Sequence, residues 1–152
     1  MQELHEKNKV LLKSLRSALY DFDRSTVLIE LTKVLAPDVL VQLSFPFETM
    51  HGAQSFYESA YEPLHKAIPD LECRDTIVMA GESENGHHWV GYCGYYTGSF
   101  EKSWLDIPAT GHQVSMRFHE FFRIENNLVV EIQAIWDIPE VMMQANAWPM
   151  VP

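Results

Sequence analysis

Apolar positions in the first third of the chain recur at helical spacing. Leu4, Val10, Leu11, Leu15, Ala18, Leu19 and Phe22, with charges between them, predict an amphipathic helix over Glu3 to Phe22, apolar side on the core. Asp23-Arg24-Ser25 breaks it, and Ser25 is placed to cap a second helix reaching about Leu35. Ala36-Pro37-Asp38 ends that helix, and Val39 to Phe45 reads as a short strand. A loop holding His51-Gly52 leads to a third helix, Ala53 to Ala67, with Phe56, Ala60, Tyr61 and Leu64 on one side and Pro63 placed to kink or split it. The period then shortens to two. Leu71 to Ala80 and His87 to Tyr96 read as strands around an acidic turn, Gly81 to Gly86, and Thr97 to Gln113 reads as a long loop. Near the end, Pro139 suits the first turn of a short helix, Glu140 to Ala147, before Trp148-Pro149.

The most informative stretch is Val114 to Asp137. Two β-branched and aromatic runs flank Glu125-Asn126-Asn127, which predicts an antiparallel hairpin. Side chains on a strand alternate faces, so each run splits in two. Met116, Phe118, Glu120, Phe122 and Ile124 share one face of the first run; Arg117, His119, Phe121 and Arg123 share the other. In the second run Val130, Ile132, Ala134 and Trp136 form the apolar set, against Glu131, Gln133, Ile135 and Asp137. With both apolar sets inward, one carboxylate, Glu120, is expected among aromatic and aliphatic groups.

Length and composition narrow the class. The 152 residues suit one domain, residues 1–152, and 47% hydrophobic with 21% charged residues is ordinary for a globular protein. A formal charge of −10 without a Lys/Arg cluster argues against nucleic acid and anionic membranes as partners. No apolar run approaches the roughly 18 residues of a membrane span, and the amino terminus lacks a signal-peptide pattern, so a cytoplasmic location is expected. Cys73 and Cys93 are expected to be reduced, buried thiols. Helices first and an antiparallel sheet after them predict an α+β domain.

Further residues carry a family resemblance: Pro69-Asp70-Leu71, Trp89-Val90, Gly94-Tyr95-Tyr96-Thr97-Gly98, Ile107-Pro108-Ala109-Thr110-Gly111, Phe122-Arg123-Ile124, Glu131, Asp137 and Gln144. In order and spacing the chain resembles the SnoaL-like polyketide (ester) cyclases, within the group similar to nuclear transport factor 2. The resemblance implies a cone-shaped barrel of strongly curved antiparallel sheet wrapped on N-terminal helices, a deep pocket at the wide end, and homodimers packed through the sheet. It also implies cofactor-free ring closure by a His and an Asp on neighbouring strands. Those positions fall on Glu120 and Ala134, so this chain lacks both, and the His of a family Gly-Thr-His-x-Gly segment appears as Tyr96.

The candidate chemistry centres on Glu120. Low dielectric disfavours its anion and suits it to move a proton beside a substrate carbonyl, unless an unseen Arg, Tyr or Trp donor pairs with it. Tyr92 and Tyr96 share a strand face and serve either as hydroxyl donors to a carbonyl oxygen or as outward packing at a dimer interface. Phe118, Phe122, Ala134 and Trp136 are read either as a substrate-binding wall or as core packing, with His51 at the pocket mouth. Trp104, Leu105, Ile107, Met142, Met143 and Trp148 could form a mobile apolar lid or a subunit contact. Asp137 is read as a cap for the final helix. No metal-ligand spacing, nucleophile elbow or phosphate loop is present, so no metal and no cofactor are expected. The expected activity is proton transfer, of cyclase, isomerase or dehydratase type, on an apolar carbonyl-bearing substrate. The alternatives are a non-catalytic pocket protein for an apolar ligand and a dimeric interaction module.

Overall fold

The structure, a computed structural model, describes residues 1–147. Helix α1 (Gln2–Tyr20) turns at Asp21 into α2 (Arg24–Val34). The cap of α2 is Asp23, not Ser25: its carboxylate accepts the Thr26 N–H at 3.0 Å. Strand β1 (Leu35–Leu43) begins earlier than expected, since Ala36-Pro37 is already extended, as Pro and the residue before it prefer. Strand β2 (Met50–His51) pairs with β1 at the sheet edge. The expected third helix is continuous but changes hand-hold midway: α3 (Ala53–Phe56), a π-helical turn (Tyr57–Tyr61) and α4 (Glu62–Ala67). Pro63 sits at the start of α4, where its missing N–H is tolerated.

Strands β3 (Glu72–Glu82), β4 (His88–Ser99), β5 (Gln113–Glu125) and β6 (Leu128–Trp136) form an antiparallel meander. The β5–β6 turn places Asn126 (φ 49°) and Asn127 (φ 63°) in the left-handed region that such a two-residue turn requires. The six strands run β2-β1-β6-β5-β4-β3 in one curved, unclosed sheet. It is not wholly antiparallel, because β1 runs parallel to β6. The final helix α5 (Ile138–Gln144) starts two residues before the expected point, and Asp137 caps it by accepting the Glu140 N–H at 3.2 Å. Trp148 and Pro149 lie outside the described residues.

Alternation holds along β5, whose burial pattern is strict from Val114 to Ile124. On β6 it fails once. The register jumps from Arg123↔Glu131 to Ile124↔Val129, so Val130 is the extra residue of a bulge and Val129 takes the core position expected for it. Below the bulge the expected faces hold, with Ile132, Ala134 and Trp136 inward.

Candidate functional site

Strand pairing builds a row across the inner face of the sheet: Val78, Tyr92, Glu120, Ala134 and Leu43 are successive cross-strand neighbours. Glu120 faces inward and is 2% exposed. Its surroundings are not those of an unpartnered carboxyl. The Arg16 guanidinium donates to Glu120 Oε1 at 2.7 Å. Tyr96 Oη donates to Oε2 at 2.5 Å, and the Trp136 indole N–H donates to the same oxygen at 2.9 Å. Arg16 is spanned on its other edge by Asp75, with contacts of 3.0 and 2.6 Å, and its Nη2 also lies 3.3 Å from Cys73 Sγ.

Sequence reading missed Arg16, although it left a trace. Arg16 lies four residues after Leu12 and three before Leu19, on the stripe of α1 that is buried. A cation on the apolar side of one element and an anion on the apolar side of another are mutual complements. Burial disfavours the Arg16 cation, but the Cys73, Glu120 and Asp75 groups around it more than offset that. The guanidinium also stacks 4.4 Å above the Tyr92 ring.

Aromatic rings fill the remaining space. Tyr96 packs against Phe118 and Trp136, and Trp136 against Tyr61 and Phe47. Tyr61 and Tyr96 join hydroxyls at 3.0 Å. Burial first, then the Glu120 charge, pushes both phenols well above their ordinary range, so they stay protonated donors. Burial raises Tyr92 to about 12, against the pull of Arg16. Phe118 and Phe122 flank Glu120 on β5 and are 1% and 2% exposed. The deep pocket that the family resemblance implied is thus occupied, around Glu120, by the chain's own side chains. A cavity of about 530 Å³ opens between α1 and β3, where Arg16, Asp75 and Tyr92 meet Lys13, Tyr20 and Val78.

The other candidates separate. Tyr92 and Tyr96 both face inward beside Glu120, not outward. Ala134 stands opposite Glu120, is 8% exposed, and offers no chemistry. His51 is exposed on β2, across from Leu40. Trp104 is not a mobile exposed lid: it is 3% exposed, its loop closed by reciprocal backbone bonds with Ile107. His119 lies exposed on the outer sheet face. Cys73 and Cys93 are unbonded, the first buried and the second half-buried. Among the described residues, no three His, Cys, Asp or Glu side chains converge in a way that could hold a metal ion. No described helix is long and apolar enough to cross a membrane.

This fold and its inward row define a class. The family model for SnoaL-like polyketide cyclases matches residues 13–145, and the chain belongs to that family. At the level of class, that family is one of small-molecule enzymes that work without a cofactor. Solved structures agree on the fold. AclR, a hydroxylase candidate from Streptomyces galilaeus, is 21% identical with a TM-score of 0.77, over 97% of this chain and 90% of that one. A SnoaL-like polyketide cyclase candidate from Jannaschia sp. CCS1 is 16% identical with a TM-score of 0.76, over 95% and 94%. IdmH, a polyketide cyclase candidate from Streptomyces antibioticus, is 16% identical with a TM-score of 0.72, over 91% and 98%. No curated protein sequence matches this chain.

Proposed function

We propose that this protein binds a small apolar ligand and that Glu120, in the position of the family's catalytic His, has become part of the scaffold. One observation carries the reading: the buried 2.7 Å contact of Glu120 with Arg16, completed by Tyr96 and Trp136. A general base must come within about 2.6–3.2 Å of the proton it takes. Here the carboxylate oxygens already receive three donors, and the rings of Tyr96, Phe118 and Trp136 pack against one another around them. A proton-transfer reading, with Glu120 as acid/base and Tyr96 or Tyr92 as hydroxyl donor to an apolar carbonyl substrate, has its own support. The hydroxyl chain Tyr61–Tyr96–Glu120 is continuous, and the opening at Arg16 and Tyr92 lies beside it.

Deuterium exchange separates the two. Aryl ketones and apolar carboxylic acids, tested as a panel by equilibrium dialysis, should bind in the micromolar range, with affinity unchanged in Glu120→Gln at a temperature where both proteins are folded. Proton NMR of the ketones in heavy water should show no protein-dependent exchange beside the carbonyl. Exchange that the protein accelerates, and that Glu120→Gln abolishes, would overturn the scaffold reading in favour of catalysis.

Homodimerisation through the sheet belongs to the same proposal. Ile77, Met79 and Phe121 stand on the outer face, 51%, 68% and 44% exposed, and the Phe121 ring covers Gly91, whose added Cβ would meet it at 2.6 Å. Such a contiguous apolar surface calls for a partner. Sedimentation velocity at tens of micromolar should give two chains per particle, and Met79→Glu with Phe121→Glu should give one. A monomeric parent protein would remove the proposal.

A further inference from the structure

A second cavity, of about 930 Å³, lies at the rim of the outer sheet face, between the Phe45-Pro46 turn, the Leu105–Ile107 loop and α5. That volume is within the roughly 300–1,000 Å³ of pockets that enclose small organic molecules. Its walls are largely apolar: Phe45, Pro46, Ile107, Ile135 and Met142, with Phe45 90% and Ile135 63% exposed. Ser44, Asp106, Asp137, Arg117 and His119 break that character. Arg117 and His119 are two residues apart on β5, and so on the same face, and both line the groove.

Arg117 is unlike the other arginines. Arg16, Arg24, Arg74 and Arg123 each have a carboxylate within ion-pair distance, whereas among the described residues Arg117 has none. Two nearby acids are committed elsewhere: Asp137 accepts the Glu140 N–H as a helix cap, and Glu140 accepts the backbone N–H of Arg117 itself at 2.7 Å. Asp106, on the loop wall, is the remaining carboxylate of the groove. An unpaired guanidinium at the edge of an apolar trough complements a molecule with an apolar body and an anionic head.

We propose that this groove binds an amphipathic organic anion, a fatty-acyl or aromatic body carrying a carboxylate, with Arg117 as the partner of the head group and His119 beside it. The inference rests on the ligand-binding reading above and assigns it a place and a charge. The test uses the intact protein and 1-anilinonaphthalene-8-sulfonate, with decanoate and decanol as competitors followed by fluorescence. Decanoate should displace the probe about tenfold better than decanol. Arg117→Met should lose that preference while leaving decanol unchanged, and Ile135→Glu should abolish displacement by both; each position is exposed, so folding is retained. Binding indifferent to Arg117→Met and Ile135→Glu would overturn the groove and leave the ligand-binding reading standing. No binding of the probe, of either competitor or of the dialysis panel would overturn both. Sedimentation showing that Ile135→Glu splits a dimer, with no decanoate bound by the parent, would assign the groove to a second copy of the chain and overturn the proposal.

Discussion

Arg16→Met is expected to destabilise the protein by about 3–5 kcal/mol, the range seen when one partner of a buried ion pair is removed. The cause is what remains. Glu120 is 2% exposed, and without the guanidinium its charge would sit in a shell of Phe118, Phe122, Tyr96 and Trp136 with only two neutral donors. Asp75 would suffer less, since its side chain is 25% exposed and water can reach it. Methionine fills much of the arginine stem, so the effect reads charge more than cavity. Urea unfolding followed by circular dichroism measures the loss, and thermal unfolding should fall by roughly 10 °C or more for a chain of this size. The double variant Arg16→Met with Glu120→Gln should recover a large part of the difference, because the stranded charge is gone while an acceptor for Tyr96 and Trp136 remains. A single variant within about 1 kcal/mol of the parent, or a double variant less stable than the single, would mean that the pair does not anchor the interior.

Gly94→Ala is expected to be comparably damaging for a steric reason. Gly94 sits mid-strand on β4, opposite Asp75 on one side and Phe118 on the other, where β3 shifts register between Asp75 and Ile77. The bulge brings the β3 backbone close. A Cβ on residue 94 would meet the Arg74 carbonyl oxygen at 2.0 Å and the Phe118 ring at 3.0 Å. A ring can swing, but a backbone carbonyl in a paired strand cannot move without breaking the ladder beneath the Asp75–Arg16 contact. A loss of about 3 kcal/mol, the upper end of overpacking costs, is expected in the same urea titration. Gly81→Ala supplies the contrast, since its added Cβ meets nothing within 4 Å and should change stability little. Equal effects at the two positions would refute the clash.

Much of this architecture was legible because it is local. Helical spacing marked α1, the break at Asp23-Arg24-Ser25 and the stop at Ala36-Pro37-Asp38 marked α2, alternation marked β5, and Glu125-Asn126-Asn127 marked the hairpin turn, since each signal lies within a few residues of what it specifies. Val130 shows where locality ends: a bulge depends on how β5 and β6 accommodate each other, and no residue of β6 announces it. Trp104 makes the same point for loops. Its exposure was inferred from lying between strands, but the loop folds back over the core and buries it.

The sequence by itself determined that Glu120 points into the fold, because alternation along a single strand is set by backbone geometry and by where the apolar neighbours lie. It also determined family membership, through the order of short segments along the chain. What only the tertiary structure decided is what Glu120 meets. Arg16 lies 104 residues away on another element, and Tyr96 and Trp136 reach the same carboxylate from two further strands. Whether a buried charge is a reactive acid or half of an ion pair depends on groups that converge in space. Pairing across such separations leaves only a cation out of place on α1 and an anion out of place on β5 until the chain brings them together.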